Sequence, residues 1–193
     1  MTTHTTREAW LVAAMAPLSK MMGVKAGLVP GSVRVSCGWP AKGALATRKR
    51  RVGECWPASL NKDQQSHVFV SPCLDEPVEV LGTLLHELIH AALPAKTGHK
   101  GPFARAAKLC GLEGKPSATT VSEALATHLN TDVLPELGPY PHQAIDASLR
   151  PKQKTRLRLY ECQCPVKVRV ASDEFDATCN VCSEPFVKKG GHE

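Results

Sequence analysis

Aromatic side chains are scarce in this sequence: nine in 193 residues, or 5%. Hydrophobic residues as a whole reach 42%, so any core must be mainly aliphatic. Long apolar runs are also missing. No stretch of about eighteen apolar residues occurs, so no membrane-spanning helix is expected. The amino terminus, MTTHTTREAW, has no basic start ahead of a long apolar segment and does not read as a signal peptide. There are no internal repeats. These absences lead to the expectation of a cytoplasmic protein, in which cysteines are reduced or metal-bound rather than disulfide-linked.

The length suits one medium domain with a small appendage. The net charge of +6 and the pI near 8.9 suit an anionic partner. Helical spacing of Trp10, Leu11, Ala14, Leu18 and Met21 predicts a helix from about Thr6 to Met22, with Pro17 as a candidate kink. Short strands are expected at Val33–Ser36 and His67–Val70. Asp75, Glu76 and Pro77 open a further helix, whose Leu81, Leu84, Leu85, Leu88 and Ala92 share one face and which Pro94 ends. More helices are expected over Pro102–Cys110 and Val121–Leu129. Residues 135–154 are proline-rich and polar and read as a surface linker.

That leucine-rich helix carries His86, Glu87 and His90. Residues four apart project from one helical face, so the two imidazoles can grip one metal ion. Glu87 stands beside His86, where a carboxylate can act as general base. This is the H-E-x-x-H arrangement of zinc peptidases. A catalytic zinc takes three protein ligands. His99, just past the Pro94 break, is the natural third; His67, His128 and His142 are the other candidates. Histidines on an apolar helix can also be ordinary core residues, but two with a glutamate amid leucines would be costly to bury without a partner. Tyr140 and His142 in GPYPH are candidates for an oxyanion stabiliser, although a rigid turn explains them as well, and none is assigned.

Cys162, Cys164, Cys179 and Cys182 form a C-x-C pair and a C-x-x-C pair, fourteen residues apart. Four thiolates so spaced resemble a zinc ribbon, in which the metal stabilises a module too small to fold on its own core. Free thiols or a redox pair are the competing readings. Cys55, Cys73 and Cys110 read as packing thiols, and Cys37 is undecided.

Two segments are basic: Lys42–Arg51, with Arg48, Lys49, Arg50 and Arg51 together, and a later run with Lys152, Lys154, Arg156 and Arg158. Such residues can neutralise phosphates without reading sequence, although many charge runs are simply solvated loops. Trp39, Trp56, Tyr160 and Phe175 are the aromatics available for stacking on bases.

LLHELIHAAL followed by GHKGPF resembles the SprT-like (Spartan-related) zinc metalloprotease family. That family has an H-E-x-x-H helix, a third histidine after a short loop, and a phenylalanine four residues later; here these match His86, Glu87, His90, His99 and Phe103. VGECW, HVFVSP and GLEGKPSATT extend the resemblance over most of Val52–Thr120. Where the family often has glycine directly after the third histidine, Lys100 intervenes before Gly101, a variation resembling a bacterial or phage branch.

The resemblance implies an α+β zincin-like catalytic domain at 6–134, followed by the linker at 135–154 and a zinc ribbon at 155–188. It implies one catalytic and one structural zinc. It also implies cleavage of DNA-associated or DNA-crosslinked proteins, in the host cytoplasm or nucleoid if phage-encoded. DNA contacts would be non-sequence-specific. The alternative is a non-proteolytic nucleic-acid-binding or transcription-associated protein that uses the same domain as scaffold. A zinc hydrolase acting on a non-peptide amide is a third reading.

Overall fold

A computed structural model describes residues 4–46, 48–149 and 157–189. The chain divides into two compact units, Met1–Leu149 and Arg150–Glu193. Both are mixtures of helices, turns and small sheets or sheets alone, giving a mixed α+β chain. Among the described residues no helix is long and apolar enough to cross a membrane.

The first unit starts with helix α1, Arg7–Ala26. Thr6 caps it by accepting a hydrogen bond from the Ala9 N–H, and Gly27 ends it at φ 64°, a left-handed conformation that glycine adopts without strain. The helix runs through Pro17 and four residues beyond the expected end at Met22. Strands β1 (Val33–Cys37), β2 (Gly53–Trp56) and β3 (Ser66–Val70) form a sheet in the order β1-β3-β2, with β1 parallel and β2 antiparallel to β3. β2 went unforeseen in the sequence because only four residues long and containing glycine, it shows no alternation.

Helix α2, Pro77–Ala92, packs on β2, β3 and α1. Val80, Leu81, Leu84, Leu85, Leu88 and Ile89 are all fully buried. They meet Trp10, Leu11, Leu18 and Met22 of α1 and Val35, Val68 and Val70 of the sheet in one core. Side chains alternate along a strand, so Val35, Val68 and Val70 face the helices while Ser36, His67 and Phe69 face away.

Helix α3, Pro102–Leu109, follows α2, and a two-stranded hairpin, β4 (Leu112–Lys115) and β5 (Ala118–Val121), comes next. Gly82 of α2 admits the hairpin: a Cβ there would collide with Cγ2 of Val121. Val121 thus lies in β5, and the helix expected from it starts at Glu123, where the Ser122 hydroxyl caps the Leu125 N–H. Helix α4, Glu123–His128, passes through one π turn, Leu129–Val133, into α5, Leu134–Leu137.

Residues 135–149, most of the segment expected as a surface linker, belong to the first unit, where they form a strap held by α1. The buried Arg7 guanidinium donates to the carbonyls of Pro141 (3.2 Å), Gln143 (2.6 Å) and Pro72 (2.9 Å). Trp10 Nε1 donates to the Gly138 carbonyl and its ring meets Tyr140 edge-on at 4.8 Å. Proline-rich composition can serve an anchored strap as well as a free linker, because prolines leave backbone carbonyls for an arginine to collect.

The second unit is a three-stranded antiparallel sheet in the order β7-β6-β8, with β6 at Arg158–Glu161, β7 at Lys167–Val170 and β8 at Val187–Lys188. Its small core is Tyr160 against Phe175, with Phe186 beyond. The Tyr160 hydroxyl donates to the Asp173 carbonyl at 2.6 Å.

Candidate functional site

Helix α2 places His86 and His90 one turn apart, and the turn after Pro94 brings His99 back to them. His86 Nε2 lies 3.2 Å from His99 Nε2, and His90 Nε2 lies 3.0 Å from it. Zinc–nitrogen bonds of about 2.0–2.1 Å in tetrahedral geometry put ligand nitrogens a little over 3 Å apart. The three nitrogens therefore sit where one ion would hold them, and the group could hold a metal, consistent with zinc. Three ring nitrogens facing one point cannot all carry hydrogen. His86 Nδ1 lies 2.8 Å from Thr119 Oγ1; with a metal ion on Nε2, the ring hydrogen would sit on Nδ1 and donate to that hydroxyl oxygen.

Phe103, fully buried, forms the floor of this group. Its ring stacks on His90 at 4.2 Å and meets His86 and His99 edgewise at 4.8 and 5.1 Å. Burial, with the neighbouring imidazoles, pushes the pKa of His86 down to about 3 and that of His90 to about 4; burial also lowers His99. All three stay neutral at pH 7, the state in which an imidazole binds a metal ion.

Glu87 is buried on the same helix, at 7% exposure. Burial pushes its pKa up to about 8; the Arg51 charge opposes this and Glu54 reinforces it. Strand β2 forms the wall beside it. A Cβ on Gly53 would lie 2.5 Å from Glu87 Oε1 and 2.8 Å from Thr83 Cγ2, so only glycine lets the strand approach the carboxylate this closely. Cys55, two residues on, is partly buried near Glu87, and burial pushes its thiol up to about 12. That keeps it protonated and unreactive.

Of the other candidate ligands, His67 stands on the outer face of the sheet, hydrogen-bonded to Ser36 at 2.9 Å. His128 pairs with Asp132 at 2.7 Å on α4. His142 sits in the strap at φ 65°. None joins the three-histidine group. Tyr140 is buried under Trp10 and Arg7, in the core rather than at the histidines. Cys110 is fully buried, as its packing reading expects, whereas Cys73 is partly exposed.

In the second unit the four cysteines converge. Cys162 and Cys164 follow β6, and Cys179 and Cys182 lie in a turn where the Cys179 N–H donates to the Glu184 carbonyl and the Ser183 N–H to that of Cys179, each at 2.8 Å. Sulfur–sulfur distances are 2.9 Å (Cys162–Cys164), 3.7 Å (Cys164–Cys179) and 3.8 Å (Cys182–Cys162). Zinc–sulfur bonds of about 2.3 Å in a tetrahedron imply edges of about 3.8 Å. The longer two fit and the C-x-C pair is tighter. The cluster could hold a metal ion and is compatible with a zinc ribbon. Backbone N–H groups of Val181 and Cys182 hold the Cys179 thiol down near 7, towards the thiolate that ligation needs.

The basic residues separate into different situations. Arg48 and Lys49 are exposed, Arg50 is partly buried, and Arg51 pairs with Glu54 at 2.8 Å. Arg158 is committed to Asp173 by two bonds of 2.6 Å, and Lys188 shares that carboxylate. Lys152, Lys154 and Arg156 lie outside the described residues. Thr119 and Gly53 carry no spacing signal of their own, although they lie in GLEGKPSATT and VGECW.

Comparisons with protein-family models, with curated protein sequences and with solved structures returned no match to this chain.

Proposed function

We propose that the chain is a zincin-like, zinc-dependent endopeptidase with His86, His90 and His99 as metal ligands and Glu87 as general base. The observation that carries this reading is the meeting of three Nε2 atoms on the helix that also holds a buried carboxylate. A purely structural site has no need of that carboxylate, and its burial is costly unless the charge or the proton is put to use. A zinc ion held there would supply Lewis acidity, polarising a scissile carbonyl and acidifying water.

The chain's own groups supply the remainder. Glu87 takes a proton from the attacking water on a carboxylate oxygen and returns it to the departing amine nitrogen. Thr119 fixes the His86 ring, and Phe103 fixes all three rings from below. Among the described residues β2 is an edge strand of its sheet beside Glu87, so an extended peptide segment could add along it and lie past the carboxylate.

The four-cysteine module, with one structural zinc, and the basic segment at Lys42–Arg51 support DNA as a second partner and DNA-associated proteins as substrates. The test is cleavage of a basic DNA-binding protein by the zinc-loaded chain, with and without single-stranded DNA, beside Glu87→Gln. Zinc-dependent cleavage abolished by that substitution is expected. Equal cleavage by Glu87→Gln would sink the reading, and its unaltered DNA-linked function would favour the scaffold alternative.

A further inference from the structure

Helices α1 and α2 pack on one face of the first unit's sheet. On the other, Trp39, Trp56, Phe69, His67, Glu54 and Asn61 line an open cleft of about 300 Å³. Two of the chain's three tryptophans are here, 42% and 40% exposed, while Trp10 is fully buried. Two exposed indoles lining one cleft form an apolar surface of the kind that marks a binding site. The surface is also built rather than loose. His67 stacks on Phe69 at 4.3 Å and hydrogen-bonds to Ser36. Gly38 lets the Phe69 ring lie against the backbone, since a Cβ there would come within 2.9 Å of it. The Glu54 carboxylate accepts from Trp56 Nε1 at 3.1 Å, from the Ala41 N–H at 2.8 Å and from Arg51 at 2.8 Å, so it orients the Trp56 ring while its own charge is paired.

The charge around this cleft is lopsided. Its acids are matched singly, Glu54 by Arg51 and Asp63 by Arg34 at 3.0 Å. The segment that joins β1 to β2 leaves from beside Trp39 and returns just before Trp56. It carries Lys42, Arg48, Lys49, Arg50 and Arg51 and no acid. Lys42, Arg48 and Lys49 are exposed and make no ion pair with a described residue. Flat, exposed rings, joined by a chain segment whose exposed cations make no ion pair with a described residue, match a ligand that alternates planar bases with phosphates.

We infer that this outer sheet face binds single-stranded nucleic acid, with unpaired bases stacking on Trp39 and Trp56 and phosphates running along Lys42, Arg48 and Lys49. Duplex DNA does not suit it, because paired bases keep their faces covered by their neighbours in the stack. This deepens the nucleic-acid part of the function proposed above and is independent of its catalytic part. Tyr160 and Phe175, the other aromatics open to a stacking role, are spent on the core of the second unit. β2 presents Glu54 and Trp56 to this cleft and Gly53 to Glu87, so a strand bound here would lie on the reverse side of the wall of the candidate active site.

The experiment is a fluorescence titration of the full chain in the Glu87→Gln background, so that the result does not depend on peptide cleavage. The probes are oligo-dT, oligo-U, an abasic oligomer of equal length and duplex DNA. Trp10, being buried, serves as the unquenched reference. The expected result is saturable quenching by oligo-dT or oligo-U, the tighter of the two naming DNA or RNA, with the abasic oligomer and duplex bound at least tenfold more weakly. Trp56→Ala and Trp39→Ala should each weaken binding by about tenfold, and Trp56→Phe should recover much of it. Arg48→Ala with Lys49→Ala should weaken every probe alike and flatten the salt dependence. Equal binding of the abasic oligomer, or unchanged affinity in both tryptophan variants, would overturn the stacking site while leaving phosphate binding, and the catalytic reading, intact.

Discussion

Thr119 Oγ1 lies 2.8 Å from Nδ1 of His86 and joins the β4–β5 hairpin to the three-histidine group. As acceptor of the Nδ1 hydrogen it would favour the tautomer in which His86 presents a bare Nε2 to a metal ion. Thr119→Val keeps the shape and removes the acceptor, so zinc affinity is expected to fall by about 10–100-fold. Thr119→Ser should restore it. Chelator competition measures the affinity, and imidazole ¹⁵N shifts report the tautomer, which a merely structural role would leave unchanged.

Gly53 and Glu87 define a second prediction. Gly53→Ala places a methyl group against Oε1 and Cγ of Glu87 and displaces the carboxylate without touching a histidine. On the proposed mechanism, peptidase turnover should fall by about a hundredfold, as an ångström-scale misplacement of a general base does, while zinc affinity holds. A parallel loss of zinc would show instead that β2 supports the metal ligands.

The raised pKa of Glu87 gives metal-free protein a signed pH dependence. Its unfolded-state value is near 4.5 and its folded value about 8, so between these pH values the folded state holds the extra proton. Stability from this group therefore declines as pH rises from 4.5 to 8 and stays low above that. Glu87→Gln cannot ionise. It should melt at about the wild-type temperature near pH 4.5 and several degrees higher at pH 8.5, read by thermal denaturation of apo protein. His86 and His90 act in the opposite sense. Their folded values of about 3 and 4 lie below the ordinary 6.5, so their contribution is lost as pH falls below 6.5.

Arg7 holds the strap with three carbonyls of the Pro72 turn and residues 141–143. Arg7→Met leaves the buried Pro72 carbonyl and the part-buried Pro141 and Gln143 carbonyls unmatched and should cost about 3 kcal/mol, or roughly 6–12 °C in Tm. Limited proteolysis within residues 138–149 should accelerate in step.

Cys179→Ser tests the second cluster. A thiolate ligand is lost from a unit whose apolar core is essentially Tyr160, Phe175 and Phe186. One equivalent of zinc should disappear and amide exchange across 157–189 should become fast, while that of the first unit is retained. Retained protection in 157–189 would mean that the module folds without metal.

Local spacing made the two candidate metal-ligand groups legible. His86 and His90 share a helical face at any position in a fold, Pro94 ends the helix wherever it lies, and C-x-x-C brings two sulfurs together within one turn. The α2 core face could be read for the same reason. Less was readable where function depends on distant segments. Thr119 reaches His86 only because Gly82 admits Val121, and Glu87 gains its wall only because Gly53 pairs with Val70 at the sheet edge. The strap was read as a linker because its prolines were visible and its partner, Arg7, stands 134 residues away from Pro141.

What the sequence by itself determined was thus the chemistry on offer: three imidazoles, a carboxylate, four thiols and two basic segments. Tertiary structure alone decided that His99 rather than His67, His128 or His142 joins the first pair, that Arg158 is held by Asp173, and that Trp39 and Trp56 share one cleft. The physical reason is that helical and short-turn periodicity sets which neighbours a residue meets within about one or two turns, whereas contacts between strands and helices follow from register and close packing, which no local spacing encodes.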